Sequence, residues 1–526
     1  MIWPGDARTA LPAKTLLTLA GVGVVACVVS PLAVLIINAY EAGWPEVQAV
    51  LFRSRSYGLL GNTVALTVLV GLCAAVLGTA AAWCLERLGL RWARAWTAVL
   101  ILPMAMPDFV VGFAWHSLWP TMDPLTAATA IMTLSSYPLV LLPVSSALRR
   151  ADRNLEDVAR GLGLGPVAVF ARVTLPGIGT AIGGGTLLAA LAVISEYGAF
   201  EVVRFHTLTT EIFSEFSFDR HAAAALSVPL VLLGFIFIAA DAALPRRRSG
   251  FTVAARGARA GALPRQAAVA GFAAVTAVGV LLPVGVLVYW LQQARVTTLP
   301  AVASLSQATA TTFGYSAAAA VIVLVLATPL AYLAVRYPSR FTLALNNFSF
   351  ITRAVPGVIV AVSLVYLAIN YFYPLYETAA VVIAAYVIGF FPLGLVCVHS
   401  TVASLPRQFG EVARSLGRGP LYVLTRVTLP LIAPGLLAGF CLVFVTAATE
   451  LTATLLLAPP NVKTLATQFW AYQAESSYSA AAPYALVIVA VAVLPGAMLG
   501  LWFDRRPQSG GVLRRGSAVP AEAVPV

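Results

Sequence analysis

The sequence predicts an all-α, polytopic membrane protein with twelve transmembrane helices arranged as two parallel repeats of six. The composition, the spacing of apolar runs and an internal duplication lead to this class. Of the 526 residues, 60% are hydrophobic and only 10% are charged, and the mean hydropathy is +0.89. A soluble chain of this length would lack the polar surface to cover itself, so a bilayer must solvate most of it.

Twelve apolar runs are long enough to cross the hydrocarbon core, which takes about 20 helical residues. In the first half these runs lie near 15–38, 58–83, 95–117, 125–147, 180–203 and 222–243. In the second half they lie near 267–291, 314–335, 343–368, 377–399, 435–458 and 482–503. The first run is too long for a signal peptide and lacks a small-residue cleavage site, so we expect it to span the membrane.

The basic residues predict an orientation with both termini in the cytoplasm. The external loops then hold only six of them, namely Arg53, Arg55, Arg204, Arg220, Arg295 and Lys463, while Arg353 falls inside a span. Most of the 33 Lys and Arg residues face the cytoplasm in this arrangement, as the positive-inside rule requires. The net charge of +12 therefore reflects membrane topology and does not indicate a nucleic-acid partner.

The duplication is clearest in two polar, basic strings. "DVARGLGLGPVAVFARVTLP" at 157–176 and "EVARSLGRGPLYVLTRVTLP" at 411–430 are identical at 13 of 20 positions. "LPMAMPDFVVGFAW" around Pro107 also aligns with "ITRAVPGVIVAVSL" around Pro356, and "HTLTTEIF" aligns with "KTLATQFW". Because each half crosses the membrane an even number of times, the repeats are parallel, and a translocation pathway is expected between them.

The chain is predicted to divide into four parts. Residues 1–244 form the first half and contain loop 1 (150–178), and residues 267–505 form the second half and contain loop 2 (404–434). The basic segment 245–266 links the halves, and residues 506–526 form a cytoplasmic tail.

Each of the two loops is predicted to be a helix, a sharp turn and a second short helix. In loop 1, Asn154 is a candidate N-cap with Asp157 three residues later, and Gly163 is placed to end the helix in a left-handed conformation. Gly165–Pro166 then starts the second helix, and Pro176 marks re-entry into the membrane. Loop 2 repeats this pattern with Gly417, Gly419–Pro420 and Pro430. Interfacial helices with no partner are the alternative interpretation.

This spacing resembles the EAA loop of ABC-importer permeases, the segment that docks into the ATPase subunit. The matching residues are Asp157, Ala159, Gly163 and Pro176 in loop 1, and Glu411, Ala413, Gly417 and Pro430 in loop 2. Val158 and Val412 replace the middle alanine, and Asp157 replaces a glutamate. The runs "SYPLVLLPVSSALRR", "MPDFVVGFAW" and "TLATQFW" look most like the ferric-iron branch, whose relatives carry thiamine, polyamines or aminoethylphosphonate.

The resemblance implies a type I ABC importer permease fold in a bacterial inner membrane. It implies a homodimer of cytoplasmic ATP-binding subunits and a periplasmic or lipid-anchored substrate-binding protein, with ferric iron as the expected cargo. The sequence contains no phosphate-binding G-x-x-x-x-G-K-[ST] motif, so ATP and Mg²⁺ are expected on the partner ATPase, and we expect neither a cofactor nor enzymatic activity in this chain. A twelve-helix secondary transporter is the alternative, although it would not need two such loops.

Three acids are candidates for the translocation pathway. Glu196 and Glu450 each lie 20 residues after the proline of their loop, and Asp108 follows Pro107. Acids within a membrane usually face a wet cavity or the protein interior, and their oxygens suit hard cations such as Fe³⁺. They therefore either line a path for a cation, or each accepts a hydrogen bond or pairs with Arg353 or a neighbouring helix. The histidines and cysteines show no metal-ligand spacing, so no metal site is predicted.

Overall fold

In the computed structural model the chain is described at residues 6–243, 262–295, 299–351, 355–406, 408–419 and 422–504. All regular structure in these ranges is helical, which confirms the fold class. Nine of these helices are long and apolar enough to cross a membrane, or ten if one bent pair counts as a single span. The shorter apolar helices Gly357–Tyr371 and Tyr478–Val493 are additional, so a total of twelve crossings stays a prediction.

The described residues of the first half form eleven helices. They are α1 (Asp6–Ala42), α2 (Trp44–Leu51), α3 (Ser54–Arg87), α4 (Ala93–Ala105), α5 (Asp108–Leu118), α6 (Pro124–Arg150), α7 (Arg153–Gly161), α8 (Pro166–Ser195), α9 (Gly198–Val202), α10 (Leu208–Phe216) and α11 (Arg220–Ala243). The axes of α4 and α5 meet at 82°, because Pro107 between them is extended and has no N–H to continue the helix. The predicted span 95–117 is therefore broken in two.

The second half repeats this order. Its helices are α12 (Leu263–Gln292), α13 (Val302–Arg336), α14 (Arg340–Ile351), α15 (Gly357–Tyr371), α16 (Ala379–Ser404), α17 (Gln408–Ser415), α18 (Leu429–Ala448), α19 (Thr452–Leu457), α20 (Leu465–Ala474) and α21 (Tyr478–Asp504). Here α15 starts directly after the extended Pro356, the counterpart of Pro107. The predicted linker 245–266 lies mostly outside the described residues, as does the tail 506–526.

Two predicted spans are displaced in the structure. The span expected at 180–203 begins at Pro166 and ends at Ser195, and the one expected at 435–458 ends at Ala448. In both cases a break follows, and a short helix, α9 or α19, continues the chain. Apolar composition continues through these breaks, so hydropathy alone could not locate them.

The duplication extends to individual hydrogen bonds. Thr207 and Thr210 form a capping box at the start of α10, and Thr464 and Thr467 form the same box at the start of α20. The residue directly after the first threonine of each box donates its N–H to a threonine hydroxyl on a long helix. Leu208 N lies 3.0 Å from Thr63 Oγ1, and Leu465 N lies 2.9 Å from Thr312 Oγ1.

The two halves exchange part of the packing of their first helices, which also contact helices of their own half. Helix α1 packs on α13, α14 and α15 of the second half, and α12 packs on α3, α4 and α5 of the first. One apolar cluster joins Val28 of α1 to Leu330 and Leu395, and another joins Phe272 of α12 to Leu100. Each half therefore completes its core with a helix from the other half.

Helix α6 lies at the centre of the first half and touches two glycines. A Cβ at Gly78 on α3 would lie 2.7 Å from the Tyr137 carbonyl oxygen, and one at Gly185 on α8 would lie 2.6 Å from Val140 Cα. The backbones of α3 and α8 can approach α6 this closely only because neither glycine has a side chain.

Candidate coupling loops and acid sites

Helix α7 of loop 1 has a different N-cap from the predicted one. The Asp152 carboxylate accepts a hydrogen bond from Asn154 N at 2.9 Å, so Asp152 is the N-cap, and the prediction of Asn154 was wrong. Asp157 does not complete a capping box. Its carboxylate pairs with Arg160 at 2.8 Å on the exposed face of the helix.

The turns after α7 and α17 follow the prediction. Gly163 has φ +85° and Gly417 has φ +75°, the left-handed region that glycine adopts without steric cost. The next N–H in each loop closes the helix end. Leu164 N donates to the Ala159 carbonyl and Arg418 N donates to the Ala413 carbonyl, both at 3.1 Å.

No separate second helix follows the turn in loop 1. The predicted short helix starts at Pro166 and continues through a π turn into the long apolar helix, so α8 is one continuous element, and Pro176 as the point of membrane re-entry stays a prediction. A π turn at Phe170–Thr174 precedes Pro176, and a π turn at Val423–Thr428 precedes Pro430. The wider turn fits a proline that offers no N–H to the helix ladder.

Both loop helices expose an apolar ridge in the same register. Three side chains at helical spacing point away from the protein in each copy. They are Leu155 and Val158 on α7 and Leu162 directly after it, which are 60%, 60% and 79% exposed, and Phe409 and Val412 on α17 and Leu416 directly after it, which are 51%, 57% and 73% exposed. The predicted coupling residues Ala159 and Ala413 lie on the opposite, buried faces. The ridge, rather than these alanines, is therefore available to a partner.

A buried ion pair that the sequence did not predict anchors loop 1. The Arg87 guanidinium at the end of α3 lies 2.9 Å from Glu156 Oε1, and each side chain is only 7% exposed. Thr174 Oγ1, in the π turn of α8, donates to the same oxygen at 3.1 Å. Glu156 thus joins α3, α7 and α8. In the sequence, Glu156 is a single acid next to Asp157, and nothing in the pattern distinguishes it from a surface charge.

Loop 2 shares part of this anchor. Arg336, at the end of α13, donates to the Leu405 carbonyl oxygen at 3.0 Å. Arg87, at the end of α3, likewise donates to the Leu148 carbonyl oxygen at 3.2 Å. Gly410 stands where loop 1 has Glu156, so no carboxylate can be supplied from that position. The two loops therefore share their exposed ridges and an arginine-to-carbonyl hydrogen bond, and they differ in the carboxylate at this position.

Glu196 and Glu450 occupy equivalent positions at the breaks after α8 and α18. Glu196 Oε1 accepts from Ala199 N at 2.7 Å, and Glu450 Oε1 accepts from Ala453 N at 3.0 Å. Each acid therefore caps the short helix that follows it, which supports the hydrogen-bonding interpretation for one oxygen of each. The other proposed partner, Arg353, lies outside the described residues.

Asp108 adds a carboxylate to the first half alone. Its Oδ1 is buried and has no hydrogen-bond partner among the described residues. The matching residue after Pro356 is Gly357, and a Cβ there would lie 3.4 Å from Glu450 Oε1. Asp108 holds the corresponding position in the first half, so its carboxylate lies in the neighbourhood of Glu196.

A cavity of about 190 Å³ lies between the halves. Leu191 and Ser195 of α8 form one wall, and Tyr386, Thr446 and Glu450 of the second half form the other. Within the described ranges, no cluster of three or more His, Cys, Asp or Glu side chains is arranged to hold a metal ion. Glu450 therefore faces this cavity as a single carboxylate.

Comparison with known proteins follows the same division into halves. The model of the binding-protein-dependent transport system inner membrane component family matches residues 74–250 and again residues 327–507. The chain belongs to this family. The permease is 36% identical over 477 residues to the Fe(3+)-transport system permease protein FbpB 2 of Haemophilus influenzae, an alignment that covers 88% of this chain and 94% of that protein.

More distant relatives match one part of the permease. The putrescine transport system permease protein PotI of Escherichia coli is 32% identical over 30% of this chain and 64% of its own length. The molybdenum transport system permease protein ModB of Mycobacterium bovis is 28% identical over 39% of this chain and 85% of its own length. The permease is therefore a multi-pass membrane subunit of an ABC importer that works with an ATPase and a substrate-binding protein, and it is a transport subunit rather than an enzyme.

Proposed function

We propose that this permease imports ferric iron, with loops 1 and 2 docked on a homodimer of cytoplasmic ATPase subunits. Both termini lie in the cytoplasm, and the cargo arrives from a periplasmic or lipid-anchored binding protein. ATP and Mg²⁺ bind to the ATPase subunits, and this chain holds no cofactor. Closure of the ATPase dimer moves the two loops and rocks one half against the other, which alternates access to the pathway.

The observation that carries the coupling role is the pair of apolar ridges. Six large hydrophobic side chains, in matching register on or directly after α7 and α17, are more than half exposed in polar, membrane-peripheral segments. An isolated exposed side chain needs no explanation, but a repeated row of three fits insertion into a groove of a partner. Left-handed Gly163 and Gly417 fix the angle at which each ridge is presented.

The ridge can be tested by substitution at its centre. We expect Val158→Asp and Val412→Asp each to weaken co-purification of the ATPase and the double variant to abolish it, because a carboxylate would be buried in an apolar groove. Val158→Ile preserves the ridge and serves as the control. Full ATPase recovery with the double variant, or cargo uptake at the normal rate without any ATPase, would exclude the coupling role.

The cargo assignment rests on the relative that aligns with nearly the whole chain. In proteoliposomes containing the permease, its ATPase and its binding protein, we expect ATP-dependent uptake of radioactive iron supplied as Fe³⁺. Thiamine, putrescine, aminoethylphosphonate and molybdate are the competing cargoes to be measured in parallel. Uptake of one of these, with none of iron, would reassign the cargo and leave the coupling mechanism intact.

We further propose that Asp108, Glu196 and Glu450 line the cation path. Glu450 faces the cavity between the halves, and Asp108 has a buried oxygen with no partner among the described residues. We expect Glu196→Gln combined with Glu450→Gln to abolish iron uptake while the complex still assembles, because an amide can accept the capping hydrogen bond but carries no charge. Unchanged uptake would make these acids structural.

A further inference from the structure

A groove of about 700 Å³ lies between the starts of α4 and α12. The groove lies on the same side of the protein as the coupling loops. Arg87, at the end of α3 and only a few residues before Arg91 of the groove, contacts loop 1. Arg91, Trp92 and Trp96 line one side of the groove, and Arg265, Gln266 and Val269 line the other. The groove thus combines two guanidinium groups with two indoles.

The two arginines are presented by different helices. Arg265 Nε donates to the Leu88 carbonyl oxygen at 3.0 Å, which holds the guanidinium of α12 beside the α3–α4 connection. Arg91 lies across the groove on that connection and is exposed. A guanidinium presents five N–H donors in a planar fork, so two of them facing one groove are well suited to the oxygens of a phosphate.

The backbone at Trp92 supports a ligand role for this groove. Trp92 has φ +64° and is 76% exposed. A bulky residue in the left-handed region costs about 1–2 kcal/mol, and such strain is found most often where a side chain must be aimed at a ligand. Here the strain aims a tryptophan outward between the end of α3 and the start of α4, and indoles near the ends of membrane spans commonly contact lipid headgroups.

We propose that this groove binds an anionic phospholipid of the leaflet on the coupling-loop side, which is the cytoplasmic leaflet in the proposed orientation. The lipid phosphate lies between Arg91 and Arg265, and the indoles of Trp92 and Trp96 flank the glycerol region. The first acyl chain follows the apolar side of α12 formed by Val269 and Ala273. A zwitterionic lipid carries its own ammonium beside the phosphate and gains less from the two arginines. The bound lipid joins α4 to α12 and so bridges the two halves.

Tryptophan quenching by brominated lipids tests this site on the full-length permease in nanodiscs, without ATPase or cargo. We expect brominated phosphatidylglycerol to quench more than brominated phosphatidylethanolamine at the same mole fraction. The chain has ten tryptophans, so the Trp92→Phe/Trp96→Phe variant isolates the contribution of these two. Excess inorganic phosphate should not relieve the quenching, because the acyl chain contributes to binding.

Charge removal supplies the decisive comparison. Arg91→Gln should weaken retention of phosphatidylglycerol roughly fivefold, and Arg91→Gln/Arg265→Gln roughly 25-fold, since each basic residue near an anionic surface contributes on the order of 1 kcal/mol. Arg150→Gln, an exposed arginine outside the groove, removes the same charge and is the control. Arg265 holds α12 to the α3–α4 connection, and Arg91 makes no such bond to α12 in the described part of the chain, so the Arg91 variant keeps the test valid if loss of Arg265 disturbs folding.

Equal quenching by the two lipids would overturn the proposal, and so would equal loss of phosphatidylglycerol in the Arg150→Gln and Arg91→Gln variants. Neither outcome would bear on the cargo or on the ATPase, because both measurements are made on the permease alone. Relief of quenching by phosphate would also count against it, since it would show that a small anion satisfies the site.

Discussion

At the scale of single residues, two neighbouring acids on α7 have opposite environments. Glu156 is buried against Arg87 and Thr174, whereas the Asp157 side chain is 64% exposed and pairs with Arg160 on the same helix. Breaking a buried ion pair leaves an uncompensated charge, while an exposed pair contributes little because water solvates both groups. Asp157, which matches the EAA-loop pattern, is therefore not the residue that anchors the loop, whereas its neighbour Glu156 is.

We expect Glu156→Ala to lower the stability of the permease by about 3–5 kcal/mol, because it leaves the Arg87 guanidinium buried and unpaired. Thermal unfolding of the purified protein in detergent measures the effect. Asp157→Ala on the same helix is the control and should shift the midpoint little. The double variant Glu156→Leu/Arg87→Met should regain most of the lost stability. An equal loss of stability in Glu156→Ala and Asp157→Ala would contradict the anchoring role of Glu156.

A second residue-scale prediction concerns the turn of loop 1. Gly163→Ala introduces a side chain at φ +85° and should cost about 1–2 kcal/mol locally, so the ridge is presented at a changed angle. We expect less cargo moved for each ATP hydrolysed, measured by uptake and phosphate release in the same proteoliposomes. Gly161→Ala, two residues earlier and with open space around its Cβ, is the control. Equal coupling ratios in the two variants would be the contrary result.

At the scale of elements, the sequence predicted helices well and their ends poorly. The apolar runs, the paired strings and the left-handed glycines identified the helices, the repeats and the loop turns. The breaks at Glu196 and Glu450 were missed because Tyr197 and Leu451 continue the apolar run while the backbone leaves the helix. Likewise, the π turn before Pro176 depends on backbone geometry that composition does not encode.

Close packing of α8 on α6 gives an element-scale prediction with an internal control. Gly185→Ala places a methyl group within 2.6 Å of Val140 Cα and should destabilise the first half by about 1–3 kcal/mol through overpacking. Gly184→Ala has nothing within 4 Å and should be neutral or slightly stabilising. The melting midpoints of the two purified variants provide the measurement, and a loss of equal size in both would show that α8 does not pack as described.

At the scale of the whole molecule, the site depends on contacts that no sequence pattern revealed. The cavity containing Glu450 is closed by α8 of the other half, and the anchor of loop 1 pairs residues on α3 and α7 that are far apart in the chain. Parallel repeats were predictable from the paired strings. The exchange of α1 and α12 between halves was not, since the apolar residues of both helices are spread around the helix and do not form one face that specifies a neighbour.

The exchange predicts how a divided permease will behave. Two fragments cut within 245–261 and expressed together should assemble and transport, because α1 and α12 each bury apolar surface on the opposite half. A first fragment that begins at Gly43 lacks α1 and should fail to retain the second fragment during purification. Retention of both fragments without α1 would show that this helix is dispensable for assembly.

The exchange also sets an order for biosynthesis. Helix α1 leaves the ribosome first, but the helices it packs against, α13 to α15, follow roughly 15–60 s later at translation rates of about 5–20 residues per second. During that interval α1 can pack on only two of its neighbours, α2 and α11 of its own half. The earliest-made helix therefore completes its packing only after the chain has been synthesised well into the second half.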